Sequence, residues 1–196
     1  LDAAFLNPDD ITACDALVMS AYSLIGGLQR EYAVKALDIA KRAGLTTFID
    51  MGSGAVNALQ DRLISLTQDF DYLLMNQKEL LTLTGATSIS EAVNGLAHEG
   101  IKRVIVKVGE KGSLVITPEV TELIEAYEID GVVDSTGAGD YYTAAFAHGI
   151  MEGYDLREAA RLGNIAGALN TVQVGAQKSD LSVEILEHYA KELTTA

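Results

Sequence analysis

The chain has 196 residues, of which 48% are hydrophobic, and its formal net charge at pH 7 is −14. This length and this apolar share are enough for one well-filled domain, whereas two domains would each have a small core. The acidic balance argues against nucleic acid and anionic membranes as partners, because binding to a phosphate backbone needs a basic surface. Beyond this, the acidity says little about function.

Cysteine content and hydropathy bear on disulfide bonds, metal sites, membrane spans and signal peptides. Cys14 is the single cysteine, which excludes a disulfide within the chain and a cysteine-rich metal site. No run of about eighteen apolar residues is present, so no membrane span is expected. The N-terminus has no basic segment leading into an apolar one, so no signal peptide is expected either. These features fit a reducing, cytoplasmic setting.

Short apolar strands alternate with amphipathic helices, a pattern typical of a mostly parallel sheet with helices on both faces. The predicted strands are 16–19, 46–50, 72–75 and 104–107, followed by an antiparallel pair, 113–117 and 120–125. The predicted helices are 32–43, 56–66, 88–100, 138–152, 156–171 and 183–193, of which the third and fifth open with a capping box. No repeat or linker interrupts the pattern, so residues 1–196 are expected to form one α/β domain.

Asn76 and Glu79 follow the third predicted strand as Asn-Gln-Lys-Glu. Open α/β sheets bind ligands beyond the carboxyl ends of their strands, where these two side chains are expected to lie. An Asn followed three residues later by Glu is also a capping box. The ligand-binding and helix-capping interpretations do not exclude each other.

The segment 107–112, Lys-Val-Gly-Glu-Lys-Gly, comes directly after the strand 104–107. Its glycines, Gly109 and Gly112, allow a tight turn with exposed amide groups that can hold an anion. Lys107 and Lys111 are candidates for contact with that anion, and a solvated surface position is an equal alternative for each. A plain β-turn is the alternative for the whole segment.

The heptapeptide at 134–140, Asp-Ser-Thr-Gly-Ala-Gly-Asp, runs into the predicted helix 138–152. Small residues at a helix start let the backbone pass close to a ligand and direct unpaired N–H groups at it. The helix dipole adds about 0.3–1 kcal/mol for a nearby negative charge, which suits a phosphate. Asp140 places a carboxylate at the same helix start. A fixed negative charge beside a bound phosphate is explained mainly by a role as the base that accepts the proton of an attacking hydroxyl group. This pattern predicts phosphoryl transfer, with a close-packed loop as the alternative.

The heptapeptide resembles the second signature of the PfkB or ribokinase family of carbohydrate and nucleoside kinases, usually Asp-Thr-x-Gly-Ala-Gly-Asp, with Ser135 as the one departure. The two earlier motifs resemble the family's Asn-x-x-Glu and Lys/Thr-x-Gly-x-x-Gly elements, in the family's order. Residues 160–168 and 175–177 are similar to its last nucleotide-side helix and Gly-Ala turn. The resemblance implies a ribokinase-like three-layer α/β/α fold with a mostly parallel central sheet.

The resemblance also implies roles for individual residues. Asp140 is expected to be the catalytic base, with the amides of Gly137, Ala138 and Gly139 as the anion hole for the transferred phosphoryl group. The expected nucleotide-binding residues are Lys107, Gly109, Gly112, Thr136 and Asn164. Asn164 is expected to hydrogen-bond the adenine, and a satisfied polar residue on a helix face is a close alternative.

Two metal sites follow from the same resemblance. Asn76 and Glu79 are expected to help hold Mg²⁺ and the phosphate groups through water. The backbone of Asp134 and Ser135, together with residues 174–179, resembles the loop pair that holds a potassium ion in many members, so Asp134 and Ser179 are candidate K⁺ ligands.

The resemblance corresponds to the C-terminal two-thirds of a family member, and the first residue is Leu1 rather than Met. We therefore expect the first strands of the sheet, the small β lid and most substrate-binding groups of such a protein to lie outside this chain. The pair Gly26–Gly27 stands too close to the later motifs to be the family's front signature.

The predicted function is ATP-dependent phosphorylation of a hydroxymethyl group on a sugar, sugar acid or nucleoside, with Mg²⁺ and, as a further candidate, K⁺. The expected partner is a small-molecule substrate, with no nucleic acid and no membrane, and a homodimer is a candidate assembly. A non-catalytic nucleotide-binding or regulatory protein of the same fold is one alternative. A dinucleotide-dependent oxidoreductase is disfavoured, because no Gly-x-Gly-x-x-Gly follows an early strand.

Overall fold

The structure, a computed structural model, describes residues 2–101, 103–177 and 181–195. The strands are Ala16–Ser20 (β1), Thr46–Asp50 (β2), Tyr72–Asn76 (β3), Val104–Lys107 (β4), Ser113–Ile116 (β5) and Thr121–Ile124 (β6). The α-helices are Pro8–Thr12 (α1), Gly27–Arg42 (α2), Ser53–Leu59 (α3), Asp61–Thr67 (α4), Gln77–Thr84 (α5), Ile89–His98 (α6), Ala138–Met151 (α7), Leu156–Thr171 (α8) and Val183–Thr195 (α9). No described helix is long and apolar enough to cross a membrane.

The strands are hydrogen-bonded in the order β1-β2-β3-β4-β5-β6. β1, β2 and β3 run parallel, with Val18 opposite Phe48 and Ile49 opposite Leu73. A hydrogen bond from the N–H of Thr117 to the carbonyl oxygen of Val120, 2.8 Å long, closes the turn between β5 and β6. This mostly parallel sheet with its helices confirms the α/β class that the sequence predicts.

By its contacts the chain divides into two compact units. Unit 1 comprises Leu1–Val106 and Ile116–Val120, and unit 2 comprises Lys107–Val115 and Thr121–Ala196. In unit 1 the central residues of β2, β3 and β4 are buried without alternation, as expected for parallel strands that are covered on both faces. Helix α2 contributes its apolar stripe of Ala33, Ala36, Leu37 and Ala40 to this core.

In unit 2, helices α7 and α8 pack closely because glycines remove side chains where the two helices meet. A Cβ on Gly149 would lie 3.1 Å from the Cα of Ala159, and a Cβ on Gly163 would lie 2.8 Å from the ring of Tyr142. Ala145, Leu162 and further apolar side chains fill the space between α7, α8 and α9. Both helices contribute residues to the candidate site.

The structure differs from the sequence predictions at several element boundaries. The helix predicted at 56–66 is two helices, α3 and α4, because Gln60 between them has a φ of 42°, which an α-helix cannot contain. Helix α2 begins five residues before the predicted 32–43, at Gly27. Ser88 caps α6 as predicted, but the carboxylate of Glu91 accepts a hydrogen bond from the N–H of Thr87.

Candidate active site

Helix α7 begins at Ala138, after Gly137 as its N-cap in the left-handed conformation, with φ 85°. No side chain of residues 2–101, 103–177 or 181–195 caps this helix, so its first N–H groups stay available to a ligand. The N–H of Ala138 donates to the carbonyl oxygen of Ser135 at 3.2 Å. Within the described chain, the N–H groups of Gly139 and Asp140 have no recorded protein acceptor. The start of α7 can therefore bind an anion through these two amides.

Asp140 lies in the first turn of α7 with an exposed side chain. Its carboxylate makes no recorded hydrogen bond or ion pair with the described residues. A carboxylate that is not engaged by neighbours is able to accept a proton from a bound hydroxyl group.

Lys107, the last residue of β4, reaches the same end of α7. Its Nζ lies 3.5 Å from the Oγ1 of Thr143 and 3.4 Å from the position that a Cβ on Gly139 would occupy. The ammonium group thus stands against the positive end of the α7 dipole. Because two positive groups at one point repel each other, the arrangement favours an anion between them.

The segment 107–112 forms the tight turn that its glycines predict. The N–H of Gly112 donates to the carbonyl oxygen of Gly109, and the N–H of Val108 donates to that of Gly112, both at 2.9 Å. Gly112 has a φ of 100°, and a Cβ there would overlap the carbonyl oxygen of Ile124. Glycine is therefore required at this position by both its conformation and its neighbours.

A cavity of about 880 Å³ lies within unit 2, a volume in the range of small-molecule sites. Five of the predicted site residues line it, namely Lys107, Gly109, Gly112, Ala138 and Asn164, whereas Gly137, Gly139, Asp140, Thr136 and Asp134 are not among its lining residues. The lining also contains the carboxylates of Glu110, Glu128 and Asp130. Among the charged side chains that line the cavity in the described part of the chain, Lys107 is the cation.

Asn164 lies in α8 and is 7% exposed. Its Nδ2 donates two hydrogen bonds of 3.0 Å, to the carbonyl oxygens of Ile124 and Glu125. The amide thus fixes the end of β6 against α8, which supports the structural interpretation of this residue. Since both N–H donors are engaged, any contact with a base in the cavity would use the Oδ1 acceptor of Asn164.

Asp134 organises the loop that precedes α7. Its Oδ1 accepts hydrogen bonds from the hydroxyl and the N–H of Thr136, at 2.7 and 2.9 Å, and its Oδ2 accepts one from the N–H of Gly175 at 2.9 Å. These bonds hold the pKa of Asp134 below its usual value, with the Thr136 hydroxyl as the largest cause. The hydrogen bond from Gly175 to Asp134 therefore joins the two loops of the predicted K⁺ site. Ser179 lies outside the described residues.

Asn170, in the last turn of α8, is a residue that the sequence analysis did not single out. Its Nδ2 donates to the carbonyl oxygen of Thr136 at 2.9 Å. The side chain is 1% exposed, and its Oδ1 has no hydrogen-bond partner among the described residues. A buried oxygen without a partner is uncommon in proteins and fits an ion or a water molecule beside the Asp134 loop. No pattern in the sequence distinguishes this Asn from a surface residue of α8.

Asn76 and Glu79 form the capping box of α5 in unit 1. The Oδ1 of Asn76 accepts the N–H of Glu79, and the Oε2 of Glu79 accepts the N–H of Asn76, both at 2.9 Å. The Oε1 of Glu79 accepts the hydroxyl of Ser53 at 3.0 Å. Glu79 is 6% exposed. Each of its carboxylate oxygens accepts a hydrogen bond, so the carboxylate is held in place. No three acidic, histidine or cysteine side chains among the described residues are grouped as a metal site.

Comparison with known proteins assigns the family. Residues 2–183 match the model described as pfkB family carbohydrate kinase, so the chain belongs to the pfkB family, as its motifs predict. Deoxyribokinase of Salmonella typhi is 28% identical over 192 residues, which cover 94% of this chain and 61% of that protein. The enzymes named in this family are phosphotransferases.

Solved structures share the fold. Adenosine kinase from Sinorhizobium meliloti is 25% identical, with a TM-score of 0.87 over 98% of this chain and 58% of that one. A putative ribokinase II from E. coli, in complex with ATP and Mg²⁺, is 24% identical, with a TM-score of 0.86 over 98% of this chain and 63% of that one. The ribokinase-like α/β/α fold is thereby confirmed. The chain spans between 58% and 63% of the length of these three relatives.

Proposed function

We propose that this chain carries the nucleotide-binding part and the catalytic base of an ATP-dependent kinase that phosphorylates a hydroxymethyl group of a sugar, sugar acid or nucleoside. The observation that carries the proposal is the meeting of the uncapped start of α7 with the ammonium group of Lys107 beside the cavity of unit 2. Membership of the pfkB family supports the same conclusion.

The phosphate groups of ATP are proposed to lie between Lys107 and the start of α7. The amides of Gly139 and Asp140 would donate to phosphate oxygens, together with that of Gly137 at the N-cap. The N–H of Ala138 contributes less, because it already donates to Ser135. The nucleoside would extend along the turn of Gly109 and Gly112 into the cavity, toward Asn164.

Asp140 is proposed to take the proton of the acceptor hydroxyl. As that oxygen forms its bond to the γ-phosphorus, the bond between the γ-phosphorus and the bridging oxygen breaks, ADP leaves, and the proton passes to the Asp140 carboxylate. The amides at the start of α7 stabilise the charge that develops on the transferred group. The exposed position of Asp140, outside the lining of the nucleotide cavity, is consistent with contact to an acceptor that arrives separately.

Two ions are part of the proposal. A magnesium ion supplies charge neutralisation for the phosphates when it is bound. A role of Asn76 and Glu79 toward this ion through water is proposed from the family resemblance alone, and both carboxylate oxygens of Glu79 already accept hydrogen bonds. For potassium, the chemistry of the donor set fits: the Asp134 carboxylate and the Oδ1 of Asn170, which no described residue engages, are hard oxygen donors.

The experiment that tests this function uses the complete protein with ATP, Mg²⁺ and a panel of sugars, sugar acids and nucleosides, with ADP release as the readout. The two lysines of the 107–112 turn provide a matched pair of variants. We expect Lys107→Met to weaken ATP binding about tenfold or more, because a charge-assisted contact to phosphate is lost. Lys111→Met removes an exposed charge that does not line the cavity, and should bind ATP like the parent protein.

The outcomes separate the alternatives. Turnover with one acceptor class, together with selective weakening by Lys107→Met, supports the kinase. ATP binding that depends on Lys107 without turnover of any acceptor would favour a non-catalytic nucleotide-binding protein of this fold. Equal effects of the two lysine variants would contradict the proposed phosphate position.

A further inference from the structure

A hydrogen bond between two hydroxyl groups lies beneath the candidate site. The Tyr142 hydroxyl of α7 donates to the Oγ of Ser113 of β5 at 2.8 Å. Tyr142 is 4% exposed, and Ser113 is fully buried. Burial raises the pKa of Tyr142 well above its usual range, so the hydroxyl keeps its proton and remains a donor.

The ring that carries this hydroxyl is held in place. It occupies the space that a side chain at position 163 would need, since a Cβ on Gly163 would lie 2.8 Å from the ring. It also stacks on Phe146, with 6.3 Å between the ring centroids and 12° between the planes. The direction of the hydroxyl is therefore set by packing against α7 and α8 as well as by its partner.

Tyr142 belongs to α7, and Ser113 directly follows the 107–112 turn. The proposed reaction requires α7 and this turn to be aligned. Ser113 comes directly after Gly112, the last glycine of the 107–112 turn, and Tyr142 comes two residues after Asp140 in the same helix. The contact between Lys107 and Thr143 joins the other end of the 107–113 segment to α7. Two polar contacts thus hold the beginning of α7 against both ends of this segment.

We propose that Tyr142 and Ser113 are a positioning pair that holds the base Asp140 and the α7 amides in register with the 107–112 turn during phosphoryl transfer. The inference rests on the proposed function. Neither residue touches the reacting atoms: the pair acts through the orientation of α7. A small rotation of that helix would move the Asp140 carboxylate and the first α7 amides, whereas α7 supplies only Ala138 and Tyr142 to the described lining of the nucleotide cavity.

The experiment compares four variants of the complete protein: Tyr142→Phe, Ser113→Ala, the double variant, and Tyr141→Phe as the matched control. Tyr142→Phe keeps the ring against Gly163 and removes only the hydroxyl. The Tyr141 hydroxyl, on the next residue of α7, has no recorded hydrogen bond to the described residues. We expect each single variant of the pair to lower kcat about tenfold while KM for ATP changes by about twofold or less, because misplacement affects the transition state most.

The double variant tests the coupling of the two hydroxyls. If they act as one pair, the double variant loses no more kcat than the more affected single variant. Losses of kcat that multiply in the double variant would overturn the pairing. A lower Tm with unchanged kcat in both single variants would also overturn it, since that result describes a purely structural bond.

A second measurement separates this inference from the proposed function. Hydrogen exchange of the beginning of α7 and of residues 107–113 can be followed with and without ATP, whether or not an acceptor is turned over. Tyr142→Phe is expected to speed exchange of the hydrogen-bonded amides of α7 from Tyr141 onward by about tenfold, whereas Tyr141→Phe leaves it unchanged. Unchanged exchange in Tyr142→Phe would overturn the positioning pair even if kinase activity is found.

Discussion

Gly137 touches the backbone of Ala176 so closely that a Cβ on Gly137 would lie 2.8 Å from the Cα of Ala176. The contact joins the loop before α7 to the loop after α8. It also places a residue with φ 85° at the N-cap of α7, a conformation that favours glycine. The start of α7, with its free amides, is thus shaped by a residue that is distant in sequence.

We expect Gly137→Ala to lower the free energy of unfolding by about 1–3 kcal/mol, because the backbone conformation is strained for alanine and the Ala176 backbone cannot move aside. Urea denaturation measures the change. Gly139→Ala is the control, since its added Cβ meets only the flexible end of Lys107 at 3.4 Å. Equal destabilisation by the two substitutions would contradict the role assigned to the Ala176 contact.

Asp140→Asn should lower kcat by about 10²–10⁴-fold, because the amide cannot accept the hydroxyl proton. ATP affinity is expected to stay close to that of the parent protein. Glu152→Gln, at the opposite end of α7, removes an exposed carboxylate in a comparable way and should retain full turnover. Undiminished turnover by Asp140→Asn in steady-state assays would rule out its role as the base.

Asn164→Asp is expected to destabilise the protein by about 1–3 kcal/mol, because a carboxylate replaces the donor to the carbonyl oxygens of Ile124 and Glu125. Thermal unfolding monitored by circular dichroism gives the measurement. Asn94→Asp makes the same chemical change at an exposed position of α6 and should have little effect. If the two variants unfold alike, the double hydrogen bond of Asn164 has no role in stability.

Asp134 should make stability depend on pH in acid. The pKa of Asp134 is lowered in the folded protein, chiefly by the Thr136 hydroxyl. Its contribution to the free energy of unfolding is therefore fully present above the pKa that Asp134 has in the unfolded chain. That contribution is lost as the pH falls from about 4 through the lower, folded pKa. Asp134→Asn should flatten this part of the profile of unfolding free energy against pH, and Thr136→Val should do so in part. An unaltered profile in both variants would show that these hydrogen bonds are not maintained in solution.

Gln60→Gly is expected to stabilise the protein by about 0.5–2 kcal/mol. Gln60 has φ 42° between α3 and α4, so glycine would remove backbone strain that exceeds its own cost in unfolded-chain entropy. Gln68→Gly, at a residue with φ −58°, lacks this gain and should destabilise by about 0.5–1 kcal/mol. A loss of stability in Gln60→Gly as large as that in Gln68→Gly would contradict strain at Gln60.

Local patterns in the sequence were sufficient for much of the fold. The strand predicted at 46–50 is β2, and the helix predicted at 156–171 is α8, with its capping box of Asp155 and Glu158. The strand prediction depends on a short apolar run, and the helix prediction on apolar periodicity and a cap, all of which are properties of neighbouring residues. The single helix at 56–66 was wrong because nothing near Gln60 in the sequence marks a left-handed residue.

The family, the order of the motifs and the residue types available for chemistry can be read from the amino-acid sequence, because these depend on short, contiguous segments such as 134–140 and 107–112. Which polar groups are hydrogen-bonded to one another depends on the packing of distant segments. The tertiary structure pairs Tyr142 with Ser113, turns both N–H donors of Asn164 to β6, and leaves the Oδ1 of Asn170 without a partner in the part of the chain that the structure describes. Such pairings join residues separated by 29 to 40 positions along the chain. They are set by how α7 and α8 pack on the strands, and no local pattern encodes that packing.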